Sequence, residues 1–148
     1  MTKPAIAAVI LAAGKGTRMK SDLPKVMMPL CGKPMIRYPL ETLEKMGVEK
    51  IVVVTAPDGD LVRQEVAPHE SCIQREQLGT GHAVLSAKEK LGNFDGVVLV
   101  IFGDNPIITE QTYQTAVDKL NEGYSIVVLG FRPEDACLLY TSPSPRDS

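Results

Sequence analysis

The chain has 148 residues, the length of one ordinary domain. Its 16 Lys and Arg against 18 Asp and Glu leave a formal charge of −2, which argues against a general nucleic-acid partner. Its 44% hydrophobic and 23% charged residues argue against disorder.

The first apolar run, residues 5–13, is the longest in the chain and reaches about half the length of a membrane span. Nothing around it has the pattern of a signal peptide. No membrane partner is therefore expected, and the cytoplasm is the expected compartment. Within this run, residues 5–11 read as a buried strand ending at Gly14. Ile36, Leu40, Leu43 and Gly47 follow with helical spacing, and Pro39 must then lie in the first turn or kink the helix. The β-branched stretch 51–55 reads as a second strand, and 60–66 as a short helix. In 81–91, Val84, Ala87 and Leu91 make one apolar face, with Thr80 placed to cap the helix. Residues 96–102 are a third buried strand, closed by Gly103-Asp104-Asn105-Pro106. Residues 109–121 read as a helix capped by Thr109, with Tyr113, Ala116, Val117 and Leu120 inside and Gly123 ending it. Residues 125–129 read as a fourth strand.

Apolar strands without polar alternation are expected to be covered on both faces, as in parallel sheets. Their alternation with helices predicts an α/β, Rossmann-like, doubly wound sheet with helices on both faces. In such sheets ligands bind beyond the carboxyl ends of the strands. Cys31, Cys72 and Cys137 are odd in number and lack metal-ligand spacing, so they are expected to be reduced, small hydrophobes. Residues 136–148 are Ser- and Pro-rich and break the pattern. They resemble translated sequencing-adapter sequence, with a natural Pro/Ser tail as the alternative, and are set apart from a domain at 1–135.

The string LAAGKGTRM at 11–19 directly follows the first strand. Gly14 and Gly16 permit positive φ and bare backbone N–H groups, which can cradle an anion. Lys15, Arg18 and, a few residues on, Lys25 add positive charge, and Arg18 can grip phosphate bidentately. The spacing fits neither a Walker loop nor a dinucleotide fingerprint, since Met19 stands where the latter needs a third glycine or an alanine. A solvated basic turn is the bland alternative. Taken singly, Gln74 reads as an exposed polar residue and Asp104 as a turn aspartate. His82 reads as structural, and His69 as exposed and inert.

Together, LAAGKGTRM, SDLPKV at 21–26, QREQLGTGHA at 74–83 and FGDNP at 102–106 resemble the signature strings of sugar-1-phosphate nucleotidylyltransferases. They are most similar to the N-terminal uridylyltransferase domains of the bacterial bifunctional N-acetylglucosamine-1-phosphate uridylyltransferases. The resemblance covers about residues 5–135, and Phe102 stands where that family more often has Tyr. It implies nucleotidyl transfer from UTP to N-acetylglucosamine-1-phosphate, with Mg²⁺ as cofactor. It assigns Leu11, Ala12, Ala13, Gly14, Lys15, Gly16, Thr17, Arg18, Lys25, Gln74, Gln77, Gly79 and Thr80 to the nucleotide, Arg18 and Lys25 to catalysis, and Asp104 to the metal. A Gln amide offers a donor and an acceptor to a uracil edge. The residues that hold the sugar in the family would follow residue 135, so the chain is expected to be a front portion that binds nucleotide but is inactive alone. The full-length family enzymes are homo-oligomers, trimers in the bifunctional branch. A non-catalytic nucleotide-binding module and a transferase for another sugar phosphate remain alternatives.

Overall fold

The structure, a computed structural model, describes residues 3–14, 22–130 and 132. Two units are distinguished, Met1–Gln114 and Thr115–Ser148. The first is built on a parallel sheet of β1 (Ile6–Ala12), β4 (Lys50–Thr55), β5 (Glu70–Ile73) and β6 (Val97–Phe102), in the order β5-β4-β1-β6. A small antiparallel hairpin of β2 (Pro29–Leu30) and β3 (Lys33–Pro34) follows a 3₁₀ turn at Lys25–Met27. The helices of this unit are α1 (Arg37–Lys45), α2 (Asp60–Val66), α3 (Thr80–Ser86), α4 (Lys88–Leu91) and the start of α5 (Glu110–Asn121).

The central strands β1 and β4 are buried on both faces. On one face Val9, Val52 and Val54 pack with Ala83 and Ala87, the small residues that let α3 and α4 lie close on the sheet. The opposite face carries Ala8, Ile10, Ile51 and Val53, all buried. Pro39 lies in the first turn of α1, as its missing N–H requires, and Leu40 and Leu43 are fully buried.

Several expectations are corrected. β6 is covered on one face only. Leu99 and Ile101 are buried, while Val98, Val100 and Phe102 are 39%, 45% and 48% exposed. These three pair with Ala7, Val9 and Leu11, on the side where α3 and α4 pack chiefly on β1, β4 and β5. The expected helix at 81–91 is two, because the chain turns at Ala87, whose N–H reaches back to Val84 O at 3.0 Å. Thr80 makes no capping bond: it is already the first helical residue, and Gly79 takes the N-cap place. β5 is a strand of only four residues, too short for an apolar period to reveal. Cys31 is exposed and Cys72 half-buried, and both are free thiols. His69 is half-buried and pairs with Glu44 at 2.8 Å.

In the second unit, α5 continues to Asn121 and Gly123 ends it with φ +109°. Thr109 caps α5 as expected, accepting the Thr112 N–H at 3.3 Å. The expected strand at 125–129 is not one. Among the described strands it has no ladder partner, and Ile126 and Val128 stay 80% and 85% exposed. An apolar β-branched run becomes a strand only where a neighbour supplies the hydrogen bonds. The tail at 136–148 lies outside the described residues.

Tyr113 is 2% exposed, and among the described residues its hydroxyl has no hydrogen-bond partner. Burial pushes its pKa from 10.0 to about 12. The unfolded chain therefore ionises first, and wild-type stability should fall as pH rises from 10.0 towards about 12. Tyr113→Phe should remove that part of the slope and be neutral or stabilising by up to about 1 kcal/mol at pH 7. Urea titrations of both proteins across this range measure the difference.

Candidate functional site

A cleft of about 720 Å³ opens beyond the carboxyl ends of β1 and β6. Chain order reverses there: after β1, the chain adds β4 and β5 on one side, then returns to lay β6 on the other. Connections leaving two such strands diverge and leave a crevice between them. Leu11 and Ala12 of β1 line it, followed by Ala13 and Gly14. From β6 come Phe102 and, just past Gly103, Asp104. The Gly103 N–H donates to Leu11 O at 2.9 Å, which extends the β1–β6 ladder one step and fixes where Asp104 emerges.

The 3₁₀ turn brings Lys25 and Val26 to the same cleft. Lys25 Nζ donates to Asp104 Oδ2 at 2.9 Å, and the two side chains are 43% and 37% exposed. A pair this open to solvent contributes little stability, so either charge can exchange its partner for a ligand at small cost.

Gln74, Gln77 and Gly79 line the cleft from the β5–α3 connection, and Thr80 and Ala83 from α3. Gln74 is only 4% exposed, against the surface position its local sequence suggests. Its backbone N–H donates to Thr55 O at 2.8 Å, a bond that carries the β4–β5 pairing past the strand end and turns the side chain inward. Its Nε2 donates to Gly79 O at 3.3 Å and contacts His82 Nδ1 at 3.1 Å. Gln77 Nε2 donates to Ala13 O at 2.6 Å and ties this connection to the end of β1. Gly79 holds φ +105°, a conformation that side-chain-bearing residues avoid, and this aims its carbonyl at Gln74.

Every expected site residue that the structure describes therefore borders one cleft: Leu11, Ala12, Ala13, Gly14, Lys25, Gln74, Gln77, Gly79, Thr80 and Asp104. Lys15, Gly16, Thr17 and Arg18 lie outside the described residues. Sequence reasoning did not single out Val26, Ala83 and Phe102 as lining residues, nor His82 as the partner of Gln74. Their only signal was membership of the SDLPKV, QREQLGTGHA and FGDNP strings. Among the described residues, Asp104 is the one acidic residue lining the cleft, and no cluster of three or more His, Cys, Asp or Glu could hold a metal. A single half-exposed carboxylate fits Mg²⁺, which takes one or two carboxylates and completes its shell with phosphate oxygens and water.

The MobA-like NTP transferase domain family matches residues 8–147 of this chain. The chain belongs to that family. It is 49% identical over 137 residues to the Bifunctional protein GlmU of Paramagnetospirillum magneticum, covering 91% of this chain and 30% of that protein. It is 48% identical over 149 aligned positions to the Bifunctional protein GlmU of Rhodospirillum rubrum, covering 97% and 33%. The chain thus spans about a third of the length of these curated relatives. The crystal structure of Rv0371c from Mycobacterium tuberculosis superposes with a TM-score of 0.65 at 19% identity, over 80% of this chain and 61% of that one, and it supports the α/β fold. The resemblance drawn from the four strings holds, and the nucleotidyltransferase family it pointed to is the family found. No described helix is long and apolar enough to cross a membrane.

Proposed function

We propose that this nucleotidyltransferase domain belongs to a cytoplasmic uridylyltransferase that transfers the UMP moiety of UTP to N-acetylglucosamine-1-phosphate and releases pyrophosphate. The observation that carries the reading is the convergence in one cleft of a buried amide, Gln74, and a Lys25–Asp104 pair from elements far apart in sequence. The amide would pair with a base. Leu11 and Phe102 offer an apolar wall, and Lys25 and the exposed Gly14 backbone suit phosphates.

In this reaction a phosphate oxygen of the sugar phosphate attacks the α-phosphorus of UTP in line. The bond from that phosphorus to the bridging oxygen breaks, and pyrophosphate leaves. The attacking oxyanion needs no protein base, so the protein's work is placement and charge neutralisation. Lys25 would stand by the α-phosphate, and Arg18, Lys15, Gly16 and Thr17 would hold the remaining phosphates. Gln77 keeps the β5–α3 connection pinned to β1, which sets the distance between base and phosphate positions. Asp104 would hold Mg²⁺, which when bound neutralises phosphate charge. The full-length protein would be a homo-oligomer on the same resemblance.

The reading is tested at the base. Gln74→Leu is expected to weaken UTP binding by about tenfold, through loss of one selective hydrogen bond, and so to narrow the affinity gap between UTP and CTP. Competition titrations with the two nucleotides measure this. An unaltered UTP/CTP ratio would mean that Gln74 does not read the base.

A further inference from the structure

Gln74 Nε2 lies 3.3 Å from Gly79 O and 3.1 Å from His82 Nδ1. A backbone carbonyl only accepts hydrogen bonds, so the amide group facing it is the NH₂. The same nitrogen reaches His82 Nδ1, which must then present its lone pair, with the ring proton on Nε2. Both amide hydrogens are thereby used inside the protein. What the buried Gln74 has left for the cleft is its acceptor, Oε1.

We propose that His82 is a positioning residue that locks the Gln74 amide with Oε1 turned to the cleft, so that the site accepts a pyrimidine with a ring N–H and disfavours one without it. This rests on reading the cleft as a UTP site and sharpens that reading: Gln74 offers the base an acceptor only. Uracil presents N3–H at that position. Cytosine presents a lone pair at N3, and two acceptors would face each other.

The imidazole is well placed to act as the lock. His82 sits in α3 one residue before Ala83, which is buried against the sheet, and its carbonyl accepts the Ser86 hydroxyl at 3.0 Å. The helix that carries it therefore has a fixed seat. Without His82, only the longer bond to Gly79 O would oppose an amide flip, and cytosine could reward that flip by accepting from the NH₂.

The test compares wild type, His82→Leu and His82→Asn in competition titrations with UTP and CTP in Mg²⁺, with thermal melts confirming that each is folded. His82→Leu removes the acceptor, and the UTP/CTP affinity ratio is expected to fall about five- to tenfold, chiefly through a gain for CTP. His82→Asn keeps an acceptor on Cγ, where Nδ1 is attached, and is expected to restore most of the ratio. In wild type, a nitrogen–nitrogen coupling across the Gln74–His82 hydrogen bond is expected by NMR. An unchanged ratio in His82→Leu, an equal fall in both variants, or a His82 ring protonated on Nδ1 would overturn the proposal. A wild type with no preference for UTP would instead overturn the UTP reading, and the inference with it. A preference insensitive to His82 would overturn the positioning role alone.

Discussion

Replacing Asp104 with asparagine is expected to weaken UTP binding in Mg²⁺ by roughly 10- to 100-fold and to strengthen it slightly when the metal is withheld. The two effects have opposite signs because Asp104 has two partners to serve. Without ligand its carboxylate accepts from Lys25 at 2.9 Å. With nucleotide and metal present, the proposed arrangement frees Lys25 for phosphate and gives the carboxylate to Mg²⁺. Asparagine keeps the shape but loses the charge. The metal then loses the anionic ligand that Asp104 would give it, and charge-assisted contacts of this kind are worth about 1.5–3 kcal/mol. Lys25, relieved of its counter-charge, becomes a better phosphate ligand when no metal competes. Calorimetric titration of UTP with Mg²⁺ and with a chelator gives four affinities. Equal affinities for wild type and variant under both conditions would remove Asp104 from the metal site.

Gly96→Ala is expected to destabilise the fold by about 2–4 kcal/mol while leaving the base preference of any folded protein intact. Gly96 stands just before β6 with φ +157°, and a Cβ there would collide with the backbone carbonyl of Ala5. That oxygen accepts the Val97 N–H at 2.9 Å, the bond with which β6 joins β1. A methyl group has nowhere to go except against the ladder. The cost combines backbone strain of about 1–3 kcal/mol with a loosened hydrogen bond of about 0.5–1.5 kcal/mol. Urea denaturation measures it through the midpoint, at unchanged slope. A midpoint equal to wild type would show that the β1–β6 junction yields more easily than its geometry implies.

Much of the frame was legible in the chain itself. The runs that became β1, β4 and β6 are continuous and apolar, and glycine or proline closes each, so a strand was the structure their sequence favoured. The helix around Leu40 and Leu43 was legible from its period, and Thr109 from its place before one. Where sequence reasoning failed, the deciding information lay elsewhere in the fold. The stretch 125–129 has the composition of a strand, but composition does not supply a neighbour. The valines of β6 look interior until the sheet order makes that strand an edge. Gln74 is the plainest case. Its local sequence suggests a surface amide, and only the pairing of β4 with β5 shows that the chain carries it inward. The strings shared with a family marked Gln74, Lys25 and Asp104 as functional, but they marked His82 only as one letter in a run.

The ion pair at the cleft joins residues 79 apart in the chain, and the bond from Gln77 to Ala13 spans 64. Neither contact can form in a local helix or hairpin. Each requires the long crossovers to close first, and chain entropy makes such closures the slow part of folding. Nucleotide affinity during refolding is therefore expected to appear only once β6 has docked onto β1. A piece cut anywhere between Leu11 and Asp104 could not present both walls of the cleft to one ligand.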